Sequence, residues 1–209
     1  MTRVSSRAWG LLVIGAVLYW ASVVLMMHVL EPEFSPIRAP MSAYVLGAYG
    51  AWMTTTYPAL SVALLSVGLG LATTLPRTPQ TRTAFVVFLV AAAGALVAGL
   101  FPMDFPGPPQ TASGRLHALG GALTFPTWVV GAFLFSLSAR RHRWRGGSGS
   151  LLALSVGSIG MLIVSILSLR VLGFAGCAQR LLVALLFVWM IVVARYLIRL
   201  PREGMGPAA

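Results

Sequence analysis

Six apolar runs, at about residues 8–29, 51–75, 84–101, 116–139, 150–169 and 181–198, dominate the chain. A helix needs about 20 mostly apolar residues to cross a hydrocarbon core roughly 30 Å thick, and each run is close to that length. Backbone N–H and C=O groups in hydrocarbon must find partners inside their own segment, so such runs fold as helices rather than as loops or open strands. The expected fold is an all-α integral membrane protein, a bundle of six transmembrane helices forming a single domain over residues 1–209. Composition agrees: 58% of residues are hydrophobic and 9% charged, leaving only short polar connections and no stretch for a separate soluble domain.

The first run follows Arg3 and Arg7, as a signal peptide would. It is longer than a cleavable signal, and bulky residues (Tyr19, Trp20, Leu25, Met26, Met27) persist to its end, so it reads as an uncleaved first helix. Orientation follows from the arginines, because short cytoplasmic loops carry the excess of positive charge. With six spans, eleven arginines (3, 7, 77, 82, 140, 141, 143, 145, 195, 199 and 202) fall on one side and four (38, 115, 170 and 180) on the other. Both termini are therefore expected on the cytoplasmic side of a cell membrane; all fifteen basic residues are arginine, a composition consistent with a high-GC bacterial genome and so with a bacterial inner or plasma membrane. Three of the four acids, Glu31, Glu33 and Asp104, fall on the outer side.

The formal charge of +11 does not point to nucleic acid, since the basic residues lie between apolar runs rather than on one folded face. Membrane lipids are the expected partners, with anionic headgroups at the run from Arg140 to Arg145. The single cysteine, Cys177, excludes an intrachain disulfide and any multi-cysteine metal site. Small residues recur as Ala91, Ala95 and Gly99, as Gly120 and Gly121, and as Ala153, Gly157 and Gly160. Such spacing lets backbones approach closely, so the third and fifth helices are expected inside the bundle. Pro58 and Pro126 each remove a backbone hydrogen bond within a span.

Apart from Arg195, near the inner end of the sixth, the six runs contain no Asp, Glu, Lys or Arg. Proton- and ion-coupled transporters keep ionisable groups near the midplane, so that class is disfavoured, whereas passive transport of a small or apolar solute is not. Polar chemistry gathers instead at the outer face. His28, Glu31 and Glu33 close the first run, Ser42 and Tyr44 lie in the first outer connection, Asp104 follows the third run, and Arg115 and His117 open the fourth. Arg170 and Arg180 flank the last outer connection, so several of these groups could converge on one pocket. An imidazole beside a carboxylate can act as a general acid or base, and two histidines with a carboxylate can hold zinc. Neither His-Glu-x-x-His nor Gly-x-Ser-x-Gly is present, and no metal or cofactor is expected. Asp104 has two structural roles open to it, pairing with Arg115 or another outer arginine and capping the loop before the fourth helix; His117 can bond to a loop carbonyl or pair with Asp104. The moderately apolar stretch from Pro40 to Gly50 lies along the outer interface or folds over the bundle as a lid.

Three segments carry a family resemblance: Ser42-Ala43-Tyr44 to Tyr49-Gly50, Gly99-Leu100-Phe101-Pro102-Met103-Asp104, and Gly114-Arg115-Leu116-His117. With the six-span pattern they resemble a bacterial and archaeal membrane family catalogued as domain of unknown function 998. The resemblance implies a six-helix membrane protein and directs attention to Ser42, Asp104 and His117. Membrane hydrolases that assemble Ser, Asp and His near one face also carry His-x-x-x-His, which this chain lacks. The favoured reading is a non-catalytic membrane protein whose outer-face cluster of His28, Ser42, Asp104, Arg115 and His117 serves packing or binds a lipid or small ligand. The alternatives are a membrane-embedded hydrolase or lipid-modifying enzyme using His117 and Asp104, and a passive transporter. No oligomeric state follows from the residues.

Overall fold

The computed structural model describes residues 5–105, 110–141, 148–169 and 173–200. Its helices are α1 Ser6–Leu30, α2 Gly50–Thr74, α3 Pro79–Leu100, α4 Ala112–Arg141, α5 Ser148–Leu167 and α6 Ala175–Arg199, with a short 3-10 helix, Met41–Leu46, between α1 and α2. All six long helices have the length and apolarity to cross a membrane. The molecule is thus an all-α, multi-pass membrane protein.

Several helices start before their apolar runs, and local chemistry explains one start directly. The Thr78 hydroxyl accepts the Thr81 N–H at 3.2 Å and the Thr81 hydroxyl accepts the Thr78 N–H at 2.9 Å, with Pro79 in the first turn. This reciprocal capping satisfies end-of-helix donors and extends α3 back to residue 79. At the other end of the chain, α6 begins at Ala175, which places Arg180 inside the helix rather than in the preceding loop.

Each helix packs on its neighbours in sequence, and α6 returns to α1, closing a ring; α6 also touches α2 and α4. Accordingly α2 and α6 are the most enclosed helices. Aromatic rings fill the interior: Trp20 meets Phe187 edge-on at 4.9 Å, Trp128 lies 5.8 Å from Phe187, and Trp189 stacks on Phe88 at 5.9 Å. The Trp189 indole N–H donates to the Ser136 hydroxyl at 2.9 Å, which reaches the Leu151 carbonyl at 3.1 Å and so links α6, α4 and α5.

The interior places expected for α3 and α5 are taken by α2 and α6; the close approach expected of small residues occurs at α3 and not at α5. At the α3–α4 crossing a Cβ on Gly120 would stand 2.5 Å from the Ala98 nitrogen and 2.7 Å from the Gly94 oxygen, so the two backbones touch. The Thr124 hydroxyl adds bonds to the Gly120 carbonyl at 2.8 Å and the Ala91 carbonyl at 3.3 Å. Helix α5 is instead the least covered of the six. Nothing lies within 4 Å of a Cβ on Gly160, and one on Gly157 would meet only Leu185 at 3.6 Å. The buried face of α5 carries Leu151, Ser155, Ser158 and Ser165, and its glycines point away from the bundle.

The start of α1 lies against the end of α6, where Gly10 approaches the Ala194 carbonyl. Arg141 at the end of α4 reaches Gln80 at the start of α3, at 2.9 Å. Together with the alternating helix directions, these contacts gather Arg7, Arg77, Arg82, Arg140, Arg141, Arg195 and Arg199 at one end, and Arg38, Arg115 and Arg180 at the other. Arg170 and the basic run beyond Arg141 lie outside the described residues.

Candidate functional site

At the arginine-poor end two clusters form, each from residues that complete unfinished helix ends. The first joins α3 to α4. Pro102 has no N–H, so the carbonyl of Ala98 loses the donor a continuing helix would supply. His117 replaces it: Nδ1 donates to the Ala98 carbonyl at 2.8 Å and to that of Phe101 at 3.0 Å. Across the turn Asp104 organises the entry to α4. Its Oδ2 accepts the Thr111 N–H and its Oδ1 the Thr111 hydroxyl, both at 2.7 Å, and the same hydroxyl accepts the Gly114 N–H at 3.1 Å. The carboxylate sits so close to Gly114 that a Cβ there would overlap it. Arg115 is exposed and, among the described residues, reaches only the Gln110 carbonyl, at 3.5 Å, while Asp104 caps the loop before α4. Behind this turn the Tyr57 ring stands edge-on to His117 at 5.8 Å and closes over Gly99.

The second cluster centres on Arg180 and ties α6 to α1 and to the 31–49 connection. Its Nε donates to His28 Nε2 at 3.1 Å, one terminal nitrogen to the carbonyls of Ala39 (2.9 Å) and Gly176 (3.0 Å), and the other to the Tyr44 hydroxyl at 3.1 Å. His28 Nδ1 bonds to the Val24 carbonyl at 2.6 Å, which requires the proton on Nδ1 and leaves the Nε2 lone pair to receive Arg180. Tyr44 is fully buried and also packs on Phe34. Further stitches run from the Met41 N–H to Gln179 at 2.8 Å and from the Cys177 N–H to the Ile37 carbonyl at 3.0 Å. The 3-10 helix is thereby held against α2 and α6.

Glu31 completes this cluster. It is 1% exposed, one carboxylate oxygen accepts the Tyr49 N–H, and Gly47 lies directly beneath it, leaving no space for a side chain. The Tyr49 N–H favours the ionised form and lowers the pKa, but burial and the neighbouring Glu33 carboxyl outweigh it, and the Glu31 carboxyl is raised above its ordinary value. The folded state then binds this proton more tightly than the unfolded chain does. Its contribution to stability is greatest in acid and is lost as pH rises through the raised value. Glu31→Gln keeps an oxygen for Tyr49 and removes the buried charge. The variant is expected to match or exceed the parent in thermal stability at neutral pH, with the difference shrinking on acidification; thermal unfolding in detergent at several pH values checks this.

Comparison with known proteins adds the family. The model of the family described as Protein of unknown function (DUF998) matches residues 13–196. The chain belongs to this family. No curated protein matches the chain, and no solved structure does.

In this member of the family, the three segments that carry the resemblance are helix-end fittings: Tyr44 and Gly47 in the first, Pro102 and Asp104 in the second, Gly114 and His117 in the third. Ser42 is half-buried on the 3-10 helix. His28 belongs to the Arg180 cluster, whereas Asp104, Arg115 and His117 belong to the α3–α4 turn. No hydrogen bond among the described residues links His28 or Ser42 to Asp104 or His117, and no three His, Cys, Asp or Glu side chains there are placed to hold one metal ion. Arg180, the most connected side chain at this end among the described residues, stands outside the cluster favoured from the sequence, where it only flanks the last outer connection. The apolar pattern starts the sixth run at residue 181 and leaves Arg180 in the preceding loop; the start of α6 at Ala175 sets it one turn inside a helix, where an arginine needs partners.

Proposed function

We propose that this is a non-catalytic protein of the cell membrane, oriented with its arginine-rich end in the cytoplasm, whose outer rim is a fixed clamp holding the helix ends and the 31–49 connection. One observation carries this reading: the acid–base groups His28, Asp104 and His117 all engage backbone groups at helix termini. A general base or nucleophile activator needs its reactive atom aimed at substrate and a partner that orients it, and here Asp104 holds Thr111 rather than His117. The aromatic interior supports the same reading over a solute path, since Trp20 and Trp128 both pack on Phe187 inside the bundle. The positive-inside asymmetry supports the orientation.

The test uses purified protein carrying Asp104→Ala or His117→Ala. Each variant is expected to lose about 1–2 kcal/mol of stability, the scale of a lost helix cap or of a buried carbonyl left unbonded. Variants that keep the parent's thermal stability but abolish a metal-dependent hydrolytic activity of the parent would overturn the proposal in favour of an enzyme. A reporter fused after Ala209 should read the cytoplasm; a periplasmic or extracellular signal would reverse the orientation.

A further inference from the structure

The arginine-rich end carries a feature that the rim does not explain. Along the lipid-facing side of α1 the leucines are interrupted by small residues, and Ala8, Leu11, Leu12, Gly15 and Ala16, with Val62 of α2, line a shallow apolar groove that is widely open on its outer side. Its floor is open at Gly15, where an added Cβ would meet nothing within 4 Å, while Leu11, Leu12 and Val62 form exposed walls. Eight residues of helix separate Ala8 from Ala16, so the groove is about 12 Å long and runs along the helix axis. In hydrocarbon such a notch is filled by a chain, because its lining otherwise loses dispersion contacts on one side.

Charge selects the rest of the occupant. Arg7 is exposed and lies one turn before Leu11 on the same stripe, so it stands at the mouth of the groove. The described part of this end carries seven arginines, the ones named above, and no acid, since Glu31, Glu33 and Asp104 all lie at the opposite end. A phosphate at the level of Arg7 gains a charge-assisted contact that a net-neutral headgroup partly cancels. We propose that the α1–α2 groove is a binding site for one anionic glycerophospholipid, with an acyl chain along Gly15 and the phosphate at Arg7.

The proposal is tested by native mass spectrometry of the full chain after extraction from vesicles of equal phosphatidylglycerol and phosphatidylcholine. The parent should retain phosphatidylglycerol in preference to phosphatidylcholine. Gly15→Leu fills the notch and should reduce retention at least fivefold with thermal stability unchanged; Val62→Phe, filling from the other wall, should do the same and serves if the first variant misfolds. Arg7→Gln should retain lipid but lose the preference for the anionic headgroup. Undiminished phosphatidylglycerol retention in the two filling variants would overturn the site, and an unchanged preference in Arg7→Gln would overturn the headgroup assignment. If the filling variants instead turn a dimer into a monomer, the occupant is a second copy of the chain and the lipid proposal fails.

Discussion

Gly120→Ala is expected to lower the stability of the bundle by about 3 kcal/mol, while Gly121→Ala, one residue away, is expected to leave it unchanged or raise it slightly. The two positions are alike in sequence and opposite in surroundings. A Cβ at residue 120 would press on the Ala98 nitrogen and the Gly94 oxygen, both backbone atoms, whereas one at residue 121 meets nothing within 4 Å. Backbone cannot rotate aside as a side chain can, so the α3–α4 pair must separate, at the upper end of typical overpacking costs of about 1–3 kcal/mol. Separation also lengthens the Thr124 hydroxyl bond to the Ala91 carbonyl. At residue 121 the only change is the intrinsic helical preference for alanine over glycine, up to about 1 kcal/mol. Thermal unfolding of both variants in detergent checks the contrast; equal effects would mean that the two backbones are not in contact.

Arg180→Ala is expected to cost about 3 kcal/mol and to release the 31–49 connection. One guanidinium holds His28 of α1, the Ala39 carbonyl, Tyr44 of the 3-10 helix and the Gly176 carbonyl. Hydrogen bonds from a charged donor contribute about 1.5–3 kcal/mol each when judged singly, and they overlap because they share one group. Removing the donor also strands the Tyr44 hydroxyl in a fully buried position. Arg180→Lys should recover little, since a point ammonium cannot serve partners on several sides of a planar fork. Limited proteolysis should cut within residues 31–49 in the alanine variant and spare the parent. Equal protection of both would show that the connection is held by something other than Arg180.

The membrane fold is legible in the sequence because hydrocarbon tolerates few backbone solutions, so six apolar runs already imply six helices. Which side of a helix meets protein is not legible in the same way. Ala91 and Ala95 face the bundle, and Gly94 meets Gly120, but the similar pattern of Ala153, Gly157 and Gly160 turns outward from α5. Small residues permit close approach without stating that a partner is there. At the rim, Asp104 and His117 stand out by residue type, and Pro102 reveals why a donor is needed near Ala98. Arg180 was harder to find, because its partners His28, Ala39 and Tyr44 are more than 130 residues away in sequence and come together only through closure of α6 on α1.

The claim that the rim residues complete helix ends is tested most directly by a double-mutant cycle between residues 102 and 117. Pro102→Ala restores an N–H that can supply the Ala98 carbonyl, the group His117 now serves at 2.8 Å. If His117 is there to replace that donor, His117→Ala should cost about 1 kcal/mol less in the Pro102→Ala background than in the parent, the scale of one buried hydrogen bond. Strictly additive costs, or no loss of stability from His117→Ala in either background, would contradict the account and return His117 to the list of groups available for chemistry.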